Sequence, residues 1–420
     1  MKSIVAQFLL LALCTTMLNG QVTLDQILQK VQAYAPEASL HIIAEQKEML
    51  QVSNINKQLL PQFAITGQST YQSDVTFLDV NLPNIEIDRP SEFQYKLQME
   101  VGQIIYDGGV LSMQKKVAEV EHQITKWQAE MVIEQLRLQA IQIYFSLLEL
   151  KEQFTLLDSR REDLKAQVER MEISLENEIV LESDLNEFQA ALISLDQNYI
   201  DLEIQENIFL HLLYRLTGVE YTNEDEFELP ISLTSVENAD IDRAYYRILE
   251  WQGTAIENNY ANKKAMLKPK ISGFGQLGVG RPGLNFLDNS FTDYYVLGLR
   301  FRMDLGNLYT RKGDRQISIL EKEELDLKKK SFDRDLYSTI SEYEENIIRF
   351  SKKVENDQKL LELKENIYNT AQAQFDNGAM NSSDFLMKWN EKNRVLQSVA
   401  LGNLRKQKYE HLLKYVRGNY

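Results

Sequence analysis

Residues 93–101 run Phe93-Gln94-Tyr95-Lys96-Leu97-Gln98-Met99-Glu100-Val101, with apolar side chains at every odd position and polar ones between. A strict period of two describes a strand that is apolar on one face and wet on the other. The pattern returns about 200 residues later. There Tyr295, Leu297, Leu299, Phe301 and Met303 alternate with Val296, Gly298, Arg300, Arg302 and Asp304. Partner strands are predicted over 62–74, around Phe63, Ile65 and Tyr71, and over 270–280, around Ile271, Leu277 and Val279. All four are ten residues or slightly more, the length a tilted transmembrane strand needs. A soluble antiparallel sheet packed on helices would give the same alternation, and any one strand taken alone favours it. Tyrosines near the strand ends (Tyr71, Tyr106, Tyr294, Tyr295) instead suggest the aromatic girdle of a membrane barrel.

Working outward, the two strand pairs sit at equivalent places in an internal repeat. At an offset of 200, His211-Leu212-Leu213 and Gly218 match His411-Leu412-Leu413 and Gly418, and Asn177, Ser183 and Asp184 match Asn377, Ser383 and Asp384. At an offset of 208, Leu59, Pro61, Gly67 and Gln68 match Leu267, Pro269, Gly275 and Gln276; at 197, Asp107 and Gly109 match Asp304 and Gly306. Ordered matches at a nearly constant offset indicate a tandem duplication. The expected organisation is a signal segment over 1–20, a first repeat over 21–218 with its hairpin at about 62–105, an acidic linker over 219–240, and a second repeat over 241–420 with its hairpin at about 270–304.

Each repeat is expected to open with a helix, over 24–57 and 238–266, and to end in two very long ones. No Gly or Pro occurs from Val110 to Thr217, and from Asp314 to Arg417 there is no Pro and only two Gly. Ile133, Leu136, Ala140, Ile143, Leu147, Leu150, Phe154 and Leu157 are spaced alternately three and four apart. Leu185, Phe188, Leu192, Leu195, Tyr199 and Leu202 continue that spacing, as do Leu336, Ile340, Tyr343, Ile347, Phe350 and Val354. Such a seam stays buried only if the helices supercoil as coiled coils. A helix over about 110–175 would be roughly 100 Å long at 1.5 Å per residue, which suits spanning a space better than forming a compact core.

Composition excludes several functions. The net charge of −16 argues against nucleic-acid binding, which needs a basic face. Lys2 followed by the apolar run Ile4–Leu13 and Asn19-Gly20 reads as a secretory signal. The only cysteine, Cys14, lies in it, and Leu13 before it is too large for a lipidation signal. No later segment has 18 consecutive apolar residues, so a membrane crossing would have to use strands. Four strands cannot close a barrel, because the smallest membrane barrels have about eight and open edges are not tolerated in lipid. The two hairpins must then join a barrel shared between copies of the chain.

The sequence resembles the TolC-like outer-membrane efflux proteins over about 24–418. The resemblance rests on the duplicated order of elements, on Leu-x-Pro before each hairpin (59–61, 267–269), on Asp107-Gly108-Gly109 and Asp304-Leu305-Gly306 after each, and on Gln374-Phe375-x-x-Gly378 followed by Ser382-x-Asp384-x-Leu386. It implies an α+β membrane protein: a homotrimer with a 12-stranded transmembrane barrel above a coiled-coil helical tunnel crossing the periplasm. It also implies docking to a periplasmic adaptor and an inner-membrane transporter, with substrate passing chemically unchanged.

By the same resemblance Asp384 lines the narrow periplasmic mouth, where three copies would form a carboxylate ring that favours cations. The other reading is an acidic residue suited to a helix N-terminus. Asp184 is its first-repeat counterpart, with helix capping as the alternative role. Gly378 is expected to take a positive φ, where the first repeat has Glu178, and Asn381, Ser382 and Ser383 to cap the helix that follows. The resemblance places both turns at adaptor-docking tips. Met380 and Met387 read as packing residues rather than a soft-metal site. Gly273-Gly275-Gly278 matches a dinucleotide fingerprint but lies in a strand with no helix opening after it. No catalytic, cofactor or metal constellation is visible; His41, His122, His211 and His411 stand apart, the last two reading as helix-surface residues, and Lys328-Lys329-Lys330 reads as a solvated helix face. The remaining alternative is a soluble periplasmic coiled-coil scaffold.

Overall fold

The computed structural model describes residues 21–76, 90–231, 241–286 and 288–418. The signal-like segment, Cys14 and residues 232–240 of the linker lie outside the described residues. Helices α1 (Leu24–Tyr34) and α2 (Glu37–Lys57) lead to strands β1 (Gln62–Tyr71) and β2 (Phe93–Tyr106), then to α3 (Val110–Glu176) and α4 (Glu182–Thr217). The second half repeats the order with α5 (Ala244–Met266), β3 (Lys270–Arg281), β4 (Thr292–Arg302), α6 (Asn307–Asp376) and α7 (Ser382–Val416). None of the described helices is long and apolar enough to cross a membrane.

The chain forms two compact units. Among the described residues, one comprises 21–39, 128–231, 241–245 and 330–418; the other comprises 40–76, 90–127, 246–286 and 288–329. The second holds the sheet, a single antiparallel array in the order β1-β2-β3-β4, so the two hairpins join through β2 and β3.

In the first unit the heptad seams are the buried residues. Ile133, Ala140, Ile143, Leu147, Leu150 and Leu157 of α3 are buried, as are Leu336, Ile340, Tyr343, Phe350 and Val354 of α6. Toward the helix turns the seams of four helices merge into one core. Leu164, Val168 and Met171 of α3 meet Leu185 and Phe188 of α4, Ala371 of α6, and Phe385 and Trp389 of α7. Near the linker, Tyr144 donates to the carbonyls of Val22, at 2.8 Å, and Glu228, at 2.5 Å. Val22 also pairs in parallel with Phe227. Linker residues up to 231 are thus tied onto the helices.

Three expectations need correction. The helix expected over 24–57 is two helices, because Pro36 has no N–H to donate and pushes Ala35 to extended ψ (123°). In the second half the described helix begins at Ala244 rather than 238. His411 is buried, not on a helix surface: its Nε2 lies 3.3 Å from the Ile231 carbonyl oxygen and its ring packs on Phe145. Burial holds its pKa below the ordinary histidine value, since the charged form loses hydration. The counterpart His211 is exposed, so the repeat in sequence is not a repeat in environment.

Candidate functional site

The sheet is amphipathic across its whole width. Strand pairing aligns Ile65, Met99, Leu277 and Tyr295 in one row and Thr66, Gln98, Gly278 and Tyr294 in the next. Successive residues point to opposite faces, so the first row belongs to an apolar face and the second to a polar one. The apolar face is bare. Ile65, Leu97, Leu277, Leu297, Leu299 and Phe301 each keep more than half of their surface exposed. Of the tyrosines expected near the strand ends, Tyr71 packs on Phe93 at 4.9 Å on this face and Tyr295 is 74% exposed there; Tyr95 adds a stack on Phe291 at 6.2 Å.

The polar face is internally bonded. Gln276 donates to Glu100 at 3.3 Å, and Arg300 pairs with Glu100 at 3.6 Å. Tyr294 donates to Gln98 at 3.0 Å and is only 7% exposed. Tyr294 is therefore not a girdle residue, although it adjoins the strand end; its parity sends it to the opposite face from Tyr295. Its ring covers Gly278, where an added Cβ would lie 2.8 Å from the ring and from the Leu97 carbonyl. That contact explains one glycine of the fingerprint-like run, which lies wholly within or just after β3.

The second candidate region is the pair of helix turns. After α3, Glu178 N–H donates to the Leu175 carbonyl at 2.9 Å and Ile179 N–H to Ser174 at 2.9 Å. After α6, Gly378 donates to Phe375 at 2.9 Å and Ala379 to Gln374 at 2.8 Å. These are the paired bonds of a Schellman motif, made twice at an offset of 200. Asn177 and Asn377 even cap with the same bond, each amide donating to the carbonyl four residues back at 2.7 Å.

No family model matches the sequence, and no curated protein matches it either. Solved structures do match. The CmeC outer membrane channel of Campylobacter jejuni is 16% identical with a TM-score of 0.68, covering 94% of this chain and 86% of that one. The outer membrane protein VceC of Vibrio cholerae is 12% identical with a TM-score of 0.70, covering 94% and 96%. The MtrE outer membrane channel of Neisseria gonorrhoeae is 13% identical with a TM-score of 0.69, covering 94% and 89%. The chain has the fold of the outer-membrane channels.

Within this channel fold the two turns hold their carboxylates differently. Asp384 is exposed, and its backbone N–H is capped by Asn381 at 2.7 Å. Its Oδ2 accepts from the Asn381 amide at 3.0 Å. Asp184 is half-buried. It accepts from the Leu181 N–H at 3.2 Å and from the Ser382 hydroxyl at 2.8 Å. Capping after α6 thus falls to Asn381. Ser382 is buried and joins the two turns, while Ser383 is exposed. Sequence reasoning had no signal for the Asp184–Ser382 bond, which spans 198 residues. Met380 is half-buried against the turn core and Met387 is exposed, so the two differ in setting. Lys328, Lys329 and Lys330 are all exposed, Lys328 pairing with Glu324 at 2.7 Å.

Gly378 takes φ 70°, as expected, and Glu178 takes φ 58° at the matching position. A left-handed backbone costs a side-chain-bearing residue about 1 kcal/mol. Glu178→Gly is therefore expected to stabilise the protein by about 0.5–1 kcal/mol, read as a raised urea midpoint. Gly378→Glu should shift it down by a similar amount, because a Cβ there meets nothing within 4 Å and only the backbone resists. Equal and same-signed shifts would refute the equivalence of the turns.

Proposed function

We propose that the chain is an outer-membrane channel subunit of an efflux or type I secretion system, of the TolC-like kind. The observation that carries the reading is the bare apolar face of the sheet. A contiguous apolar surface rimmed by aromatics belongs against lipid or a partner rather than water. The sheet also keeps two free edges, β1 and β4, which lipid would not tolerate. Pairing β4 of one copy with β1 of the next removes both, and three copies make a 12-stranded barrel.

The polar face, with Glu100, Arg300 and Gln98, then lines a wet lumen. The long helices cross the periplasm, with the two turns meeting an adaptor and an inner-membrane transporter that supplies the energy. The chain itself conducts passively. Three Asp384 carboxylates at the mouth would attract cations. Asp384→Asn keeps the acceptor that Asn381 uses while removing the charge. It is expected to lower the cation-to-anion permeability ratio severalfold in planar bilayers, and an unchanged ratio would remove Asp384 from the mouth.

The deciding experiment expresses the chain with its own N-terminus, fractionates the membranes and weighs the complex in mild detergent. Outer-membrane location with three chains per particle is expected. A soluble monomer or dimer in the periplasm would favour the coiled-coil scaffold instead.

A further inference from the structure

A basic pocket lies at the foot of the second hairpin. It encloses about 230 Å³ between the end of α5 and the start of α6. Tyr260, Lys263, Lys264, Thr310, Arg311 and Asp314 line it. Its one carboxylate is already engaged: Asp314 accepts from Lys263 Nζ at 2.7 Å and from the Thr310 hydroxyl at 2.9 Å. Lys264 stands 4.2 Å from the centroid of the Tyr260 ring. Neither Lys264 nor Arg311 has an acidic partner among the described residues. The pocket therefore offers two cations and no free anion to meet them.

The surroundings are basic against the trend of the chain. Residues 263–270 and 301–315 carry eight Lys and Arg against two Asp, in a protein of net charge −16. The matching stretches of the first half, 55–62 and 104–118, carry three Lys and one Asp. The excess is thus a property of this hairpin and not of the repeat. Lys270 and Arg302 pair across the sheet at the same end. Beside these cations the first turn of α6 exposes Leu308 and Tyr309, the latter 92% exposed, with Leu305 just before it. Cations beside bare aliphatic and tyrosine side chains are the chemistry of a lipid–water boundary, where phosphates meet the one and acyl chains the other. A free phosphate would use the cations and leave Leu305, Leu308 and Tyr309 in water.

We infer that this pocket binds the phosphate of an anionic glycerophospholipid in the leaflet next to the helices. The inference rests on the outer-membrane reading. It adds a lipid site that would fix the depth of the barrel on one side, where Lys264 and Arg311 hold the phosphate and Leu308 and Tyr309 the first part of the chains.

The test is native mass spectrometry of the full chain in mild detergent, titrated with phosphatidylglycerol or with phosphatidylcholine of the same acyl chains. A preference for phosphatidylglycerol on the order of thirtyfold is expected, the factor supplied by two cations at about 1 kcal/mol each. The double variant Lys264→Gln, Arg311→Gln should abolish it. A remote pair on α6, Lys352→Gln with Lys353→Gln, should leave it intact. Equal retention of both lipids, an unchanged preference in the double variant, or the same loss in the remote pair would overturn the site. Displacement of the lipid by equimolar inorganic phosphate would reassign it to free phosphate. The same spectra count the chains. Trimers without a lipid preference would sink this inference and leave the channel reading standing. A monomer would sink the channel reading, and its lipid preference would still decide the pocket.

Discussion

Arg243→Ala is expected to destabilise the helical unit by about 3–5 kcal/mol, the range for breaking a buried ion pair from one side. Arg243 Nη2 lies 2.9 Å from Glu134 Oε2, with both side chains less than one-fifth exposed. The guanidinium also donates to the carbonyls of Tyr415 and Val416 at 3.3 and 3.4 Å, so it holds the last turn of α7. Glu134 in turn accepts from the Ala244 N–H at 3.1 Å, while its backbone carbonyl accepts from the Tyr415 hydroxyl at 2.7 Å. One cation thus joins α3, the start of α5 and the end of α7. Removing it leaves a carboxylate in a poorly hydrated place.

Burial already raises the Glu134 pKa above the ordinary carboxylate value, and Arg243 is the main influence pulling it back. Without Arg243 it must rise further. A group whose folded pKa lies above its unfolded value favours the folded state at low pH, and that contribution is lost as pH rises through the folded value. The deficit of the variant should therefore be small in acid, where Glu134 is neutral, and grow toward neutrality. Urea unfolding followed by circular dichroism at about pH 4 and pH 7 reads both effects. A deficit independent of pH would mean that lost carbonyl contacts, not the orphaned carboxylate, set the cost.

Phe385→Ala is the second large expected effect, about 3–5 kcal/mol for emptying a filled aromatic site. Phe385 is 1% exposed. Its ring stacks on Phe375 at 4.7 Å, lies 6.1 Å from Phe188 and 5.9 Å from Tyr368. Three rings from two other helices, α4 and α6, therefore close around one ring of α7. Much of the loss should be local, since unfolding free energy varies across a structure. Amide exchange across 360–400 should quicken far more than exchange in the seam around 140–150, and limited proteolysis should cut near the 377–381 turn. Phe385→Leu should restore most of the protection, because it refills most of the volume. Global loss of protection in the alanine variant would show that the turn core and the rest of the unit unfold together.

The long helices, their seams and the four strands were legible in the chain because they are periodic, and period is a local property. The left-handed turn at Gly378 was legible for the same reason, a glycine after a helical run followed by Asn381. The break at Pro36 was equally visible, but the helix expected over 24–57 ran across it. Tyr294 was misplaced because adjacency to a strand end says nothing about parity, which the pairing with Gln98 and Gly278 settles. His411 was misplaced because its repeat partner is exposed, and a sequence match carries no record of what packs against each copy.

What the amino-acid order determined by itself was therefore the inventory: helices with buried seams, strands with one apolar face, and two turns of the same design. The tertiary structure decided how those pieces share partners. It joined the hairpins into one sheet whose apolar residues stay exposed, tied Asp184 to Ser382, and enclosed Glu134 with Arg243. Each of these is a contact between residues more than 100 apart, and its worth depends on burial, which exists only once the chain has folded.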